Sequence, residues 1–180
     1  FIPEIVPDTI DYQVGDSKEF WVTNVDTNEN RIVTARLGYK TENIFFWIEE
    51  GVDYDKNELE QLVSTFEVDI LPMNRDFFGT EWIPGIDDNK RLFVLYAQGL
   101  GSGLAGYFSS ADALPPQVHE YSNAHEMFML NADNIRLSQR FTYGVLAHEY
   151  QHMIHWYRDR NETSWLNEGF SELAAFINGY

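Results

Sequence analysis

The chain has 180 residues, of which 44% are hydrophobic and 16% aromatic, and it contains no cysteine. This length and composition predict one folded domain with a hydrophobic core. The net charge of -17 at pH 7 argues against nucleic acid as a partner, because an acidic surface repels phosphates. Without cysteine there are no disulfides or thiolate metal ligands, and no apolar run of about 18 residues predicts membrane insertion.

Residues 1–42 are predicted to form a small β-rich N-terminal segment. The runs "EFWVTN" and "RIVTARLGY" are rich in β-branched and aromatic residues, and "VDTNEN" between them is typical of a hairpin connection. Residues 43–180 are predicted to form the main unit, which begins with the apolar strand "NIFFWIEEG".

A helix and a second strand follow. Helical spacing places Leu59, Leu62, Val63 and Phe66 on one face. Asp53 or Asp55 is a candidate for the N-cap, and Pro72 predicts a break or kink in the helix. The next apolar run, "RLFVLYA", completes a strand–helix–strand unit, which predicts a parallel pair of strands.

Two more strands and two helices are predicted in the rest of the chain. The glycines of "GLGSGLAGYFSSAD" fit a tight turn into a third strand near 104–109 better than a phosphate-binding loop. The run "EMFMLNAD" predicts a fourth strand, and residues 137–158 and 164–178 predict two helices joined by "RDRNET".

The first of these helices contains the motif "HEYQH". His148 and His152 are four residues apart, so a helix projects both imidazoles from one face, where they can share one metal ion. Glu149 lies about 100° around the helix from His148, beside such an ion, where it can take a proton from water.

A third ligand is required for a catalytic zinc site. His155 is a candidate, but three histidines along one helix fit a tetrahedral ion poorly, so packing is the favoured role. Glu168 is the better candidate, on a second helix that Ser164 can cap. Glu172 lies four residues further on the same face and can accept the free N–H of a ligand histidine.

These motifs resemble those of known zinc peptidases. "HEYQH" followed by "WLNEGFSE" resembles the gluzincin metallopeptidases, and "WLNEGF" is similar to the glutamate helix of aminopeptidase N-like enzymes. The order Asn167-Glu168-x-x-Ser171-Glu172 resembles the corresponding segment of thermolysin-like enzymes. The segment "AHEYQHMIHW", in an acidic chain, looks most similar to the hyicolysin-like neutral peptidases.

The resemblance implies an α+β fold of the zincin type, with a mixed sheet, an active-site helix and a glutamate helix. It implies a secreted or cell-surface zinc endopeptidase acting on protein or peptide substrates. His148, His152 and Glu168 would be the zinc ligands, Glu149 the general base and Glu172 the partner of a ligand histidine. The edge strand with Leu104, Ala105, Gly106 and Tyr107 would pair with an extended substrate.

Two features depart from the family pattern. Fifteen residues separate His152 from Glu168, a few fewer than in thermolysin-like enzymes, so the connection between the helices must be tight. The chain also stops at Tyr180, before the helical subdomain that usually follows, which predicts a fragment or a small enzyme. The group that stabilises the oxyanion is unassigned, with Tyr150, Tyr157 and His125 as candidates.

The sequence leaves two alternative functions open and excludes a third. A zinc aminopeptidase is suggested by "WLNEGF", but no segment like "GAMEN" is present to hold a free amine. A catalytically silent binding module would retain the fold without needing Glu149. A metzincin site is excluded, because Arg158 and His155 occupy its histidine and glycine positions. Calcium is a weak further prediction from "DTNEN" and "GIDDN", which fit ordinary turns better.

Overall fold

A computed structural model describes residues 5–161 and 163–180 as a six-stranded mixed sheet with helices packed against one face. The strands are β1 Ser17–Asn24, β2 Glu29–Lys40, β3 Ile44–Glu49, β4 Leu92–Ala97, β5 Gly106–Phe108 and β6 Met127–Asn131. The helices are α1 Lys56–Thr65, α2 Leu71–Phe78, α3 Arg140–Arg158 and α4 Ser164–Ile177. The mixed α+β fold class is therefore confirmed.

The strand order across the sheet is β1-β2-β3-β4-β6-β5. Strands β3 and β4 are parallel, as the strand–helix–strand pattern predicted, and β6 is parallel to β4, whereas β1, β2 and β5 run antiparallel to their neighbours. The β1–β2 hairpin continues the same sheet, because β2 pairs with β3. A separate unit over residues 1–42 remains a prediction about domain organisation.

The central strands are buried on both faces, which explains their continuous apolar sequences. Alternate side chains enter two different cores. One core lies between the sheet and the helices and includes Ile44, Phe46, Val94 and Phe128. The other lies on the opposite face and is dominated by Phe20, Phe45, Trp47, Phe93 and Met129.

The sheet curls around this second core until its two edges meet. The Tyr107 hydroxyl of β5 accepts a hydrogen bond from the backbone N–H of Thr23 in β1, at 3.1 Å. The side chain of Asn123 also bonds both the backbone N–H and the C=O of Trp21 in β1, at 2.7 and 3.0 Å. The curl therefore brings β5 and β1 together although they are at opposite ends of the strand order.

The region predicted as the first helix forms three consecutive helical segments in the structure. Asp55 caps α1 by accepting from the N–H groups of Asn57 and Glu58. A π-helical stretch, Phe66–Ile70, connects α1 to α2, and Pro72 lies in the first turn of α2. Pro72 predicted a break or kink, and the structure shows a widened turn before it, because proline donates no N–H to that turn and its ring crowds it.

Helix α3 and the α1–α2 region together form the helical side of the first core, and α4 packs across α3. The prediction that Ser164 caps α4 is wrong: Thr163 is the N-cap residue, and Ser164 is the first residue of the helix. The buried amide of Asn74 donates to the Ala147 carbonyl of α3 and accepts from Asn178 beyond α4. Among the described residues, no helix is both long and apolar enough to cross a bilayer.

Replacing Phe66 tests the packing between the helices and the sheet. Phe66 is 1% exposed and its ring contacts those of Phe128 and Tyr150. Phe66→Ala is expected to lower the free energy of unfolding by about 3–5 kcal/mol, because it leaves a cavity. Phe176→Ala, at a side chain that is 75% exposed, is the control and should change it by about 0.5 kcal/mol or less. Equal effects in urea unfolding would contradict the packing described.

Candidate active site

The two histidines of α3 face the acidic side chains of α4. His148 and His152 point their Nε2 atoms at each other across 3.0 Å. The carboxylate of Glu168 lies opposite, with Oε2 at 3.6 Å from His148 Nε2 and Oε1 at 3.5 Å from His152 Nε2. Within the described part of the chain, these three residues form the one group of three that could hold a metal ion.

The donor set and its spacing fit zinc. In a tetrahedral site with bonds of about 2.0–2.1 Å, ligand atoms are about 3.3 Å apart. The two imidazole Nε2 atoms are 3.0 Å apart, and each lies within 3.6 Å of one of the two Glu168 carboxylate oxygens, separations close to those expected around zinc. Two imidazoles and one carboxylate leave the fourth position for water or substrate, as catalytic zinc sites require.

The outer nitrogen of each imidazole also has a partner. Glu172 Oε1 lies 3.4 Å from Nδ1 of His148, the position predicted for it. Nδ1 of His152 lies 3.1 Å from both Asn167 Oδ1 and Ser171 Oγ. These contacts fix the ring orientations and leave both Nε2 atoms for a metal.

The roles of Asn167 and Ser171 were not foreseen from the sequence. Both side chains orient His152, and the hydroxyl of Ser171 donates to Gln151 Oε1 at 2.5 Å. Their spacing of four residues puts them on one face of α4. That spacing was visible in the sequence, but which helix face meets His152 depends on how α4 docks.

The site favours neutral imidazole at His148 and a protonated carboxyl at Glu149. Burial, and then the neighbouring His152, lower the pKa of His148, which favours the form that binds metal. Burial raises the pKa of Glu149 to about 8, and the backbone N–H of Phe108 opposes that rise. A cation held by the adjacent ligands would favour the charged carboxylate.

Two cavities flank Glu149 and His148 along α3. One, of about 490 Å³, is bounded by Phe108, His155, Trp156 and Arg160 as well as by the three candidate ligands. The other, of about 510 Å³, is more apolar and lies against Phe141, Val145 and Tyr180. Together they form an open cleft that continues on both sides of the candidate metal ligands.

Strand β5 forms one wall of this cleft. Leu104 and Gly106 line both cavities, Ala105 lines the apolar one, and Tyr107 lines the other. The Ala105 carbonyl accepts from Asn131 N–H, so the backbone groups of Ala105 and Tyr107 face β6. Because backbone direction alternates along a strand, the N–H and C=O of Gly106 and Phe108 face the cleft.

The candidates for oxyanion stabilisation lie outside this cleft. The Tyr150 hydroxyl donates to Glu81 at 2.6 Å in the core, and His125 Nδ1 lies 2.6 Å from Asp87. Tyr157 stacks on Trp82 away from both cavities. His155 lines one cavity, its ring lies against that of Phe170, and it is not part of the metal-binding group found among the described residues.

The predicted calcium segments are occupied by structural contacts. Asp26 accepts hydrogen bonds from the backbone N–H of Ser102, and Asp87 is paired with His125. Neither segment contributes to a group of three metal-binding side chains among residues 5–161 and 163–180. The turn interpretation therefore fits this part of the structure.

The sequence is related to that of a known metalloprotease. The chain is 26% identical to the neutral metalloprotease ShpI of Staphylococcus hyicus over 184 aligned positions. The chain is similar to a metalloprotease. The match covers 92% of this chain but 41% of the staphylococcal protein, and no protein-family model matches the sequence.

Metal analysis tests the ligand set directly. The protein is expected to retain about one Zn²⁺ per chain after zinc loading and dialysis, because three donors converge on one point. His152→Ala and Glu168→Ala should each lose most of that zinc. His119→Ala is the matched control, since His119 lies outside the cluster, and it should keep the metal. Zinc retained by Glu168→Ala would rule out Glu168 as a ligand.

Proposed function

We propose that the protein is a zinc-dependent endopeptidase. The observation that carries the proposal is the position of Glu149, which is 6% exposed and lies beside His148, His152 and Glu168 at the junction of two cavities. The similarity to a neutral metalloprotease supports a hydrolase acting on peptide bonds.

Three residues would hold the metal, namely His148, His152 and Glu168. When bound, zinc would lower the pKa of water at the site and polarise the scissile carbonyl. Glu149 would take the proton of the attacking water and pass it to the leaving amine, so that the amide is hydrolysed without a covalent enzyme intermediate. Glu172, Asn167 and Ser171 would keep the imidazoles oriented during this transfer.

The substrate would lie in extended conformation against β5. The outward N–H and C=O groups of Gly106 and Phe108 can pair with a peptide as an added antiparallel strand. That pairing holds the scissile bond near Glu149, because the N–H of Phe108 is itself close to the Glu149 carboxyl. Leu104 and Gly106 border both cavities and would contact substrate residues on each side.

The shape of the cleft favours an endopeptidase over an aminopeptidase. Cavities of similar size extend on both sides of the candidate ligands, so a chain can continue in both directions. An aminopeptidase needs a closed end with a group that holds the free amine. A silent binding module would not need a buried carboxyl beside the metal ligands. We further propose a secreted or cell-surface location, which follows from the family resemblance.

Glu149→Gln separates catalysis from metal binding. The variant should retain zinc but lose at least about 100-fold in kcat on a casein or peptide substrate, because the amide cannot accept the proton. Glu120→Gln, on the exposed surface, is the control and should cleave at the parent rate. Equal proteolysis by parent and Glu149→Gln would refute the assigned role.

The pH dependence of cleavage is expected to reflect the ionisation of the Glu149 carboxyl. A general base works only when ionised, so kcat/KM should rise as pH increases through the pKa of Glu149. Burial places this pKa at about 8 without a metal, and a bound cation lowers it. The midpoint of the acid limb in the zinc-loaded protein is therefore expected below 8. A midpoint at or above 8 would show that the carboxyl does not sense the cation.

A further inference from the structure

Strand β5 lines the proposed substrate cleft, but few backbone hydrogen bonds hold it in the sheet. It has three residues, Gly106–Phe108, and in the described chain it pairs with β6 alone. Its other edge faces Glu149 and both cavities. A strand this short has few backbone hydrogen bonds to hold it, so its position depends on contacts made by its side chains and flanking turns.

The central residue of β5 is attached to the opposite edge of the sheet. The Tyr107 ring packs against the core enclosed by the curl, and its hydroxyl accepts the N–H of Thr23 at 3.1 Å. That N–H lies on the side of β1 that faces away from β2, where it would otherwise lack a strand partner. Tyr107 thus joins β5 to β1 across the core.

A second bridge secures the turn that follows β5. Asp112 lies in the short helical turn Ser110–Ala113 and is buried, and its carboxylate accepts from the backbone N–H and the side-chain amide of Asn123, both at 2.8 Å. Asn123 in turn satisfies the N–H and C=O of Trp21 on the same outward edge of β1. The centre of β5 and the turn that follows it are therefore both connected to β1 of the N-terminal hairpin.

We propose that the β1–β2 hairpin holds the substrate-binding strand in place, and that Tyr107 is the positioning residue through which it does so. The proposal rests on the proposed peptidase function and gives the N-terminal hairpin a part in it. Among the described residues, the hairpin contributes none to the metal-binding group, but the hydrogen bond from Thr23 to Tyr107 sets where Gly106 and Phe108 lie relative to Glu149.

Tyr107→Phe is the test, because it keeps the ring in the core and removes only the hydroxyl. Hydrogen–deuterium exchange of a peptide covering 104–109 should become about three- to tenfold faster. The N–H of Thr23 loses its acceptor, so β5 is held less firmly and opens more often. Tyr39→Phe is the matched control, since that hydroxyl bonds Glu60 on the exposed surface. It should leave exchange at 104–109 unchanged.

Kinetics distinguish a positioning role from a general loss of structure. With zinc content and thermal midpoint close to the parent values, Tyr107→Phe should raise KM for an extended peptide about three- to tenfold, with kcat within about twofold. A short substrate that does not reach Gly106 should be much less affected. If kcat instead falls in proportion to the fraction of the protein that is folded or zinc-loaded, the positioning role is overturned.

Thr23→Pro removes the same hydrogen bond from the other partner. Proline is tolerated at an outward-facing position of an edge strand. Thr23→Pro also removes the hydrogen bond from Thr23 Oγ1 to Asn30 Oδ1 within the hairpin, so Thr23→Val, which removes that bond alone, is its control. Relative to Thr23→Val, Thr23→Pro should accelerate exchange at 104–109 as Tyr107→Phe does, and adding Tyr107→Phe should change it little, because both break the hydrogen bond between Thr23 and Tyr107. Parent-like exchange in Tyr107→Phe, or additive effects, would overturn the inference. Since exchange is measured without substrate, this result stands even if the parent protein cleaves no peptide.

Discussion

The burial of three parallel strands on both faces is the constraint on which the rest of the structure depends. Strands β3, β4 and β6 expose almost no side-chain surface, so apolar layers must cover each face. Helices cover one face and place α3 directly against the sheet. On the other face no helix is available among the described residues, and the sheet covers that face by curling around its own aromatic side chains.

The candidate active site lies where the helices that cover one face of the sheet meet the curled edge of the sheet. Helix α3 is held by apolar contacts along most of its length and by the amide of Asn74, so its histidines project from a rigid element. The curl brings β5 alongside α3, where the backbone of Phe108 approaches Glu149. A buried carboxyl, two oriented imidazoles and a free strand edge therefore share one cleft.

The charge of the site differs from that of the chain. The protein carries a net charge of -17, yet burial, with a smaller contribution from the negative charge of Glu168, favours the neutral form of Glu149. Two imidazole nitrogens facing each other at 3.0 Å are unfavourable unless a proton or a cation lies between them. Glu168 and Glu172 bring negative charge to the same place, so a divalent cation would relieve several unfavourable contacts at once.

Local patterns in the sequence predicted most of the elements. Apolar runs and helical spacing identified all six strands and the helices, because burial on a sheet or a helix face leaves a periodic signature. The π-helical segment before Pro72 was missed, since proline predicts a disturbance but not the form it takes. The N-cap of α4 differed by one residue, as helix ends commonly do.

The sequence by itself determined the chemistry of the candidate site, because a spacing of four residues on a helix brings His148 and His152 together wherever that helix lies. Only the tertiary structure decided that Glu168 completes the group, that Asn167 and Ser171 orient His152, and that Gly106 and Phe108 face the cleft. These relations depend on how α4 docks on α3 and on the curl of the sheet. Both are set by long-range packing, which leaves no periodic signal in the chain.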